Sequence, residues 1–145
     1  MNDVNVFKNI TVLSLEQATV LPYLTLRLAE DGATVIRMEH PVYGDPNRRV
    51  GDNVLNEDRM FSYYLSINAG KKALTLDLGT PEGQEILKKL ILKLKVDIFA
   101  TNQLPRNYSK LGIDYEMLKK IKEDIIWLGM TGFGPQSNEA AYDPV

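Results

Sequence analysis

Short apolar runs alternate with amphipathic stretches along this chain. Residues 10–15, ITVLSL, are rich in β-branched side chains and predict a buried strand. Pro22 lies where a helix can begin, and leucines on one face of the following residues predict a helix that ends at Gly32. Residues 33–39, ATVIRME, predict a second strand. Because a helix connects these strands, they form a β-α-β unit, which indicates a parallel sheet.

A long segment without periodicity, residues 40–60, follows this unit. It is rich in Pro, Gly, Asn and Asp and predicts a long loop, a feature that often has a function. Residues 73–78 alternate leucines with small or polar residues, which predicts a strand. The next helix has the clearest signals, because Thr80 can cap it and Pro81 suits its first position. Its predicted apolar stripe consists of Ile86, Leu87, Leu90, Ile91 and Leu94.

The rest of the pattern adds a strand at 96–102, a helix that Asp114 can cap, and a last strand at 125–134. The inward side chains of this helix are Met117, Leu118 and Ile121. The sequence contains no internal repeat and no low-complexity linker. The alternation of strands and helices predicts a Rossmann-like, doubly wound α/β fold with a mostly parallel sheet.

Composition narrows the classes of function. A length of 145 residues with 44% hydrophobic and 25% charged residues is sufficient for one globular domain with a core. A net charge of −2 provides no general attraction for nucleic acid or for an anionic membrane. Without cysteine, and with one histidine, the sequence predicts no disulfide and no metal site. It shows no signal peptide and no apolar run of about 20 residues, so we expect a cytoplasmic protein without membrane partners.

Ligands of open parallel sheets bind outside the carboxyl ends of the strands. The residues at the carboxyl ends of the predicted strands are Gln17, Ala18 and Thr19; Glu39 and His40; Thr101 and Asn102; and Thr131, Gly132 and Phe133. Neither a G-x-G-x-x-G sequence after the first strand nor a G-x-x-x-x-G-K-[ST] sequence is present, which disfavours a dinucleotide or P-loop site.

Three polar features have both a functional and a plain structural interpretation. Lys71 and Lys72 follow a tight turn, where they bind a phosphate or lie in a solvated turn. Arg48 and Arg49 in the long loop allow the same two interpretations. His40 contacts a base or ribose, or is a surface residue; it has no obvious acidic partner in the sequence, and no serine–histidine–acid set is visible. The residues alone thus predict an anionic-ligand site without a recognisable nucleophile.

Five motifs occur in one order along the chain. They are G-A-x-V-I-R-x-E from Gly32, G-D-x-x-R from Gly44, N-x-x-K-K from Asn68, D-L-x-T-x-E-G from Asp77, and G-x-x-G-F-G from Gly129. This order resembles the N-terminal part of family III CoA-transferases, the CaiB/BaiF group, which includes formyl-CoA transferase and has α-methylacyl-CoA racemase as a relative. Members of that family are much longer. The resemblance therefore implies that residues 1–145 are the N-terminal part of the large CoA-binding domain, without the small domain or the C-terminal return segment.

The resemblance implies transfer of CoA from an acyl-CoA donor to a small carboxylic acid through an aspartyl-CoA thioester, with no metal. Coenzyme A would lie along the strand tips. By position in the motifs, its expected contacts are Gln17, Ala18 and Thr19 after the first strand, His40 at the adenine or ribose, Lys71 near the phosphates, Asn102 and Gln103 at the pantetheine, Lys110 and Leu111 further along, and Thr131, Gly132 and Phe133 at the thioester. The nucleophilic aspartate of the family would follow residue 145, so no catalytic residue is expected in this chain.

There are three alternatives to a CoA-transferase: a racemase, a noncatalytic CoA-binding protein and an unrelated nucleotide-binding module. The racemase branch has a histidine before an aspartate where this chain has Tyr142 and Asp143, and a phenol is a poor proton shuttle at neutral pH. The family forms interlocked homodimers, and some members pair with a paralogous subunit, so a noncatalytic CoA-binding fragment or subunit is a second hypothesis. An unrelated nucleotide-binding module is a third. Val20 and Gln103 depart from residues common in the family, which leaves the substrate open.

Overall fold

A computed structural model describes residues 5–141 of the chain. Within this range one sheet contains five strands in the order β3-β2-β1-β4-β5, and every neighbouring pair is parallel. The strands are β1 (Thr11–Leu15), β2 (Thr34–Glu39), β3 (Lys72–Thr75), β4 (Ile98–Thr101) and β5 (Ile126–Gly129). This confirms the prediction of a doubly wound α/β fold with a parallel sheet.

Helices cover both faces of the sheet. They are α1 (Val20–Glu30), α2 (Ser62–Asn68), α3 (Pro81–Lys93), α4 (Tyr108–Leu111) and α5 (Tyr115–Ile121), with short 3-10 helices at Pro46–Arg49 and Pro105–Asn107. On one face Leu21 of α1 packs with Val12 and Val35 of the sheet. On the other face Leu87 of α3 and Leu118 of α5 pack with Leu13, Met38 and Phe99. Burial of these two apolar layers is the main stabilising term of the fold.

The predicted helix caps are confirmed. The Thr80 hydroxyl accepts a hydrogen bond from the Gly83 N–H at 3.1 Å, and Asp114 Oδ1 accepts one from the Met117 N–H at 3.0 Å. The apolar stripe of α3 is narrower than predicted, because Leu87 and Ile91 are buried whereas Ile86 and Leu94 are exposed. The helix therefore packs on the sheet through Leu87 and Ile91, with Leu90 partly buried beside them.

All five strands are shorter than predicted, β1 and β2 by only one residue at their start. The strand expected at 73–78 begins at Lys72 and ends at Thr75, although the Leu76 N–H still donates to the Glu39 carbonyl at 2.9 Å. The strand expected at 96–102 covers only Ile98–Thr101, and the one expected at 125–134 covers only Ile126–Gly129. The Met130 N–H likewise donates to the Thr101 carbonyl at 2.8 Å, so one hydrogen bond to the neighbouring strand continues past the ends of β3 and β5.

The sequence prediction missed helix α2. Its inward residues Tyr64 and Ile67 are three positions apart, which is a helical spacing, but the helix is short. The long loop at 40–60 is confirmed, with the 3-10 turn Pro46–Arg49 inside it. No helix in residues 5–141 is long and apolar enough to cross a membrane.

Candidate functional site at the strand tips

The order of the strands creates a switch point between β1 and β4, where the connections turn to opposite faces of the sheet. Gln17 follows β1 and Asn102 follows β4 at this point. The Gln17 N–H donates to Asn102 Oδ1 at 3.1 Å, and Asn102 Nδ2 donates to the Gln17 carbonyl at 2.8 Å. The Asn102 amide therefore joins the two strand tips and fixes the backbone of Gln17.

Two clefts lie on either side of this junction. The first, of about 210 Å³, extends over β1 and β2 and includes the predicted residues Gln17, His40, Gln103 and Leu111. The second, of about 450 Å³, extends over β1, β4 and β5. Its predicted residues are Gln17, Ala18, Asn102, Gln103, Thr131 and Gly132. Because Gln17 and Gln103 border both clefts, an elongated ligand can pass from one cleft to the other along these two side chains.

His40 is more organised than its sequence context indicates. Its Nδ1 accepts hydrogen bonds from the N–H groups of Val42 at 3.1 Å and Tyr43 at 3.3 Å, so the ring proton is on Nε2. Nε2 lies 3.7 Å from Asp77 Oδ1, which is the acidic partner that the sequence did not reveal. The His40 and Tyr43 rings lie 4.5 Å apart between centroids. This pair provides an aromatic surface at the mouth of the first cleft.

Lys71 lies away from the open clefts. Its side chain has no exposed surface, and Nζ donates to Glu16 Oε1 at 2.9 Å, the Pro22 carbonyl at 2.7 Å and Asn68 Oδ1 at 2.9 Å. These three bonds use all the protons of the ammonium group. A contact between Lys71 and a CoA phosphate stays a prediction, and it requires the ammonium to leave these partners.

The other predicted residues are arranged differently. The Thr19 hydroxyl lies 3.1 Å from the Tyr63 hydroxyl, at the start of α1. Lys110 is exposed, and its carbonyl accepts from Gln84 Nε2 at 3.0 Å. Phe133 lies in the turn after β5 with 61% of its surface exposed. Tyr142 and Asp143 are outside the described residues.

A cluster of buried charged side chains lies beneath the clefts. The sequence did not predict that these residues pair with one another. The cluster contains three cations and three anions, which are Arg37, Arg48, Lys71, Glu16, Glu39 and Asp45. Buried charges are tolerated when they are paired in this way. The visible signal was the G-D-x-x-R motif, but the partners of its Asp and Arg come from β1 and β2 and are distant in sequence.

Glu39 and Arg48 are joined by two hydrogen bonds within this charge cluster. Arg48 Nε donates to Glu39 Oε2 at 2.7 Å, and Arg48 Nη2 donates to Glu39 Oε1 at 2.6 Å. Burial acts to raise the pKa of Glu39, but the bond from Arg48 and the charges of Arg37 and Arg48 outweigh it and lower that pKa below 4.5. Burial raises the pKa of Tyr64, whose hydroxyl accepts from Arg48 at 2.6 Å. Glu39 and Arg48 are therefore held as an ion pair beneath the first cleft.

Comparisons with known proteins agree with this geometry. The family model described as CoA-transferase family III matches residues 7–145. The human succinyl-CoA:glutarate CoA-transferase is 33% identical over 148 residues, which cover 100% of this chain and 33% of that protein. The succinyl-CoA:mesaconate CoA-transferase of Haloarcula hispanica is 35% identical over 136 residues, or 90% of this chain and 33% of that protein.

A solved structure shares the fold over most of the chain. The crystal structure of a CaiB/BaiF family protein from Brucella suis superimposes with a TM-score of 0.82 at 32% identity, and the match covers 94% of this chain and 36% of that one. The chain thus spans about a third of the length of the relatives it matches. The match to the family model over residues 7–145, together with these relatives, shows that the chain belongs to CoA-transferase family III.

Proposed function

We propose that the protein carrying this chain transfers CoA from an acyl-CoA to a carboxylic acid, and that residues 1–145 supply its CoA-binding part. The observation that carries the proposal is the junction of Gln17 and Asn102 at the switch point, with a cleft on each side. Two of the relatives are named as CoA-transferases that act between succinyl-CoA and a dicarboxylic acid. Their shared chemistry is a thioester donor and a carboxylate acceptor.

The two clefts suit the two ends of CoA. We assign the adenosine end to the first cleft, because the rings of His40 and Tyr43 offer a surface on which a purine can stack. We assign the pantetheine arm to the passage along Gln17 and Gln103, where side-chain amides can bind its two amide groups. The thioester then lies in the second cleft, near Thr131 and Gly132.

In this proposal the reaction proceeds through an aspartate of the longer protein. Its carboxylate attacks the acyl carbonyl, the carbon–sulfur bond breaks, and CoA leaves as a thiolate. The thiolate then attacks the aspartyl carbonyl of the mixed anhydride, which forms the aspartyl-CoA thioester and releases the first acid. The acceptor acid repeats these two steps in reverse order. Because CoA leaves and returns twice, holding it at the strand tips replaces a bimolecular encounter by an intramolecular one.

A trapping experiment on the whole protein tests this mechanism. The protein is incubated with an acyl-CoA and an isotopically labelled acid, and label in the acyl-CoA pool is followed by mass spectrometry. Hydroxylamine added during turnover converts an aspartyl thioester to a hydroxamate, which peptide mapping locates. We expect one modified aspartate, at a position after residue 145. Modification of an aspartate within residues 1–145 contradicts the assignment.

The same assay separates the alternatives. A noncatalytic subunit binds CoA but exchanges no label until its partner is added. A racemase epimerises a 2-methylacyl-CoA without exchanging label, and Tyr142 in place of the racemase histidine speaks against this activity. A protein that does not bind CoA at all refutes the proposal. The interlocked homodimer expected from the resemblance belongs to the same proposal, and light scattering of the whole protein tests it. The cytoplasmic location expected from the sequence is also part of the proposal.

A further inference from the structure

The loop at the tip of β1 has a backbone that its sequence does not favour. Ala18 has a φ of +60°, in the left-handed region where the Cβ of an L-residue is crowded. Gln17 and Ala18 both line the second cleft, and Gln17 also lines the first. A disfavoured conformation of this kind persists only where neighbouring groups hold it, and it is often found at functional sites.

Two residues of the long loop hold Ala18 from one side. The Ala18 N–H donates to Asp45 Oδ1 at 3.3 Å, and Asn47 Nδ2 donates to the Ala18 carbonyl at 2.8 Å. The Asn47 N–H donates to the same Asp45 oxygen at 2.8 Å, so the two residues act together. Both backbone polar groups of Ala18 are therefore bound by side chains from this loop.

Asp45, which binds the Ala18 N–H, is itself fixed by a buried arginine. Arg37 Nη2 donates to Asp45 Oδ2 at 2.8 Å, and these side chains are 1% and 0% exposed. On the other side of the loop, Asn102 binds both backbone groups of Gln17. Since the Gln17–Ala18 backbone is bound from the long loop and from the tip of β4, the direction of the Gln17 side chain is determined by distant parts of the chain.

We propose that Asp45 and Asn47 are positioning residues for acyl-CoA, which keep Ala18 left-handed and thereby orient Gln17 between the two clefts. The inference rests on the proposed function, because it takes acyl-CoA as the occupant. A loop that is ordered before the ligand arrives binds it without a further ordering cost. Without Asn47 the peptide at Ala18 can relax to a negative φ, which rotates Gln17 away from the ligand.

Asn47→Ala in the whole protein tests the proposal without leaving a buried charge unpaired. We expect the KM for acyl-CoA to rise about tenfold, as for the loss of one good hydrogen bond, with kcat at saturation within about twofold. Ala18→Gly added to Asn47→Ala is expected to recover at least about threefold of that loss, because glycine adopts a positive φ readily. Asn53→Ala is the matched control, since Asn53 also lies in the long loop and accepts from the Glu57 N–H at 3.1 Å.

Any of three outcomes overturns the proposal. The KM for acyl-CoA is unchanged in Asn47→Ala, or it rises equally in Asn53→Ala, or adding Ala18→Gly to Asn47→Ala recovers none of the loss. Amide hydrogen exchange of the peptide that contains residues 16–21 gives a readout that needs no CoA. We expect about tenfold faster exchange in Asn47→Ala than in wild type or Asn53→Ala. If the wild type neither binds nor transfers CoA, the proposed function has failed, whereas unchanged exchange shows separately that Asn47 does not hold the loop.

Discussion

The buried ion pair between Lys71 and Glu16 can be tested by replacing Lys71 with methionine. The substitution keeps an apolar chain of similar length but removes the ammonium group, so the Glu16 carboxylate stays buried without its nearest cation. Both side chains have 0% exposed surface, and Nζ lies 2.9 Å from Oε1. Removing one partner of such a pair costs about 3–5 kcal/mol, which is a large part of the roughly 5–15 kcal/mol that stabilises a typical domain.

The magnitude follows from what each group loses. Glu16 keeps the hydrogen bond from the Thr25 hydroxyl at 2.6 Å, and the Arg37 Nε lies 3.6 Å away, so its charge is only partly compensated. Asn68 Oδ1 also loses its charged donor, and an acceptor left without a donor costs about 1–3 kcal/mol when it is buried. The Pro22 carbonyl loses Lys71 as well but keeps the hydrogen bond from the Thr25 hydroxyl at 3.2 Å. Adding Glu16→Gln removes the unpaired charge, and we expect the double variant to recover about 2 kcal/mol or more of the loss.

Urea unfolding of the whole protein measures these differences as shifts of the transition midpoint. Lys72→Met is the matched control, because Lys72 is the next residue and is exposed, and we expect it to change the free energy of unfolding by less than about 0.5 kcal/mol. If Lys71→Met is as stable as Lys72→Met, the reasoning about the buried pair is refuted. The predicted contact between Lys71 and the CoA phosphates is tested by comparing the affinities of Lys71→Met and wild type for CoA and for phosphate-free pantetheine. A phosphate contact weakens only CoA in Lys71→Met, whereas a structural role affects both ligands.

Two further predictions concern stability. Folding lowers the pKa of Glu39 below its ordinary value of 4.5. Between these two pKa values the unfolded state binds more protons than the folded state. Glu39 therefore stabilises the fold above pH 4.5, and this contribution is lost as the pH falls through the pKa of the folded state. Glu39→Gln is therefore expected to give a shallower decline of the thermal midpoint below pH 4.5, and an identical decline in both proteins would contradict this role. Gly83→Ala places a Cβ 1.8 Å from the Asp77 carbonyl oxygen, so we expect a loss of about 1–3 kcal/mol in urea unfolding despite the higher helix propensity of alanine. A variant as stable as the wild type would show that α3 can move away from Asp77 at little cost.

Local signals in the sequence determined the elements of this protein. The alternation of apolar runs with helical stripes predicted a parallel α/β sheet, and the caps at Thr80 and Asp114 lie where expected. These signals act over a few residues, which is why they are visible without the fold. The order of five motifs also indicated the family that the comparisons show. The strand tips could also be located from the sequence, because the residues next to the end of a strand in the chain lie at that end of the strand in space.

The tertiary structure alone decided which polar groups are free to meet a ligand. Lys71 and Glu16 are 55 positions apart, and Gln17 and Asn102 are 85 apart, so nothing close to either residue in sequence reveals its partner. The exposure of a lysine depends on which segments pack over it, and the left-handed backbone of Ala18 depends on side chains from a distant loop. Chain connectivity determined where the strand tips are, whereas packing between distant segments determined which of their side chains are already paired.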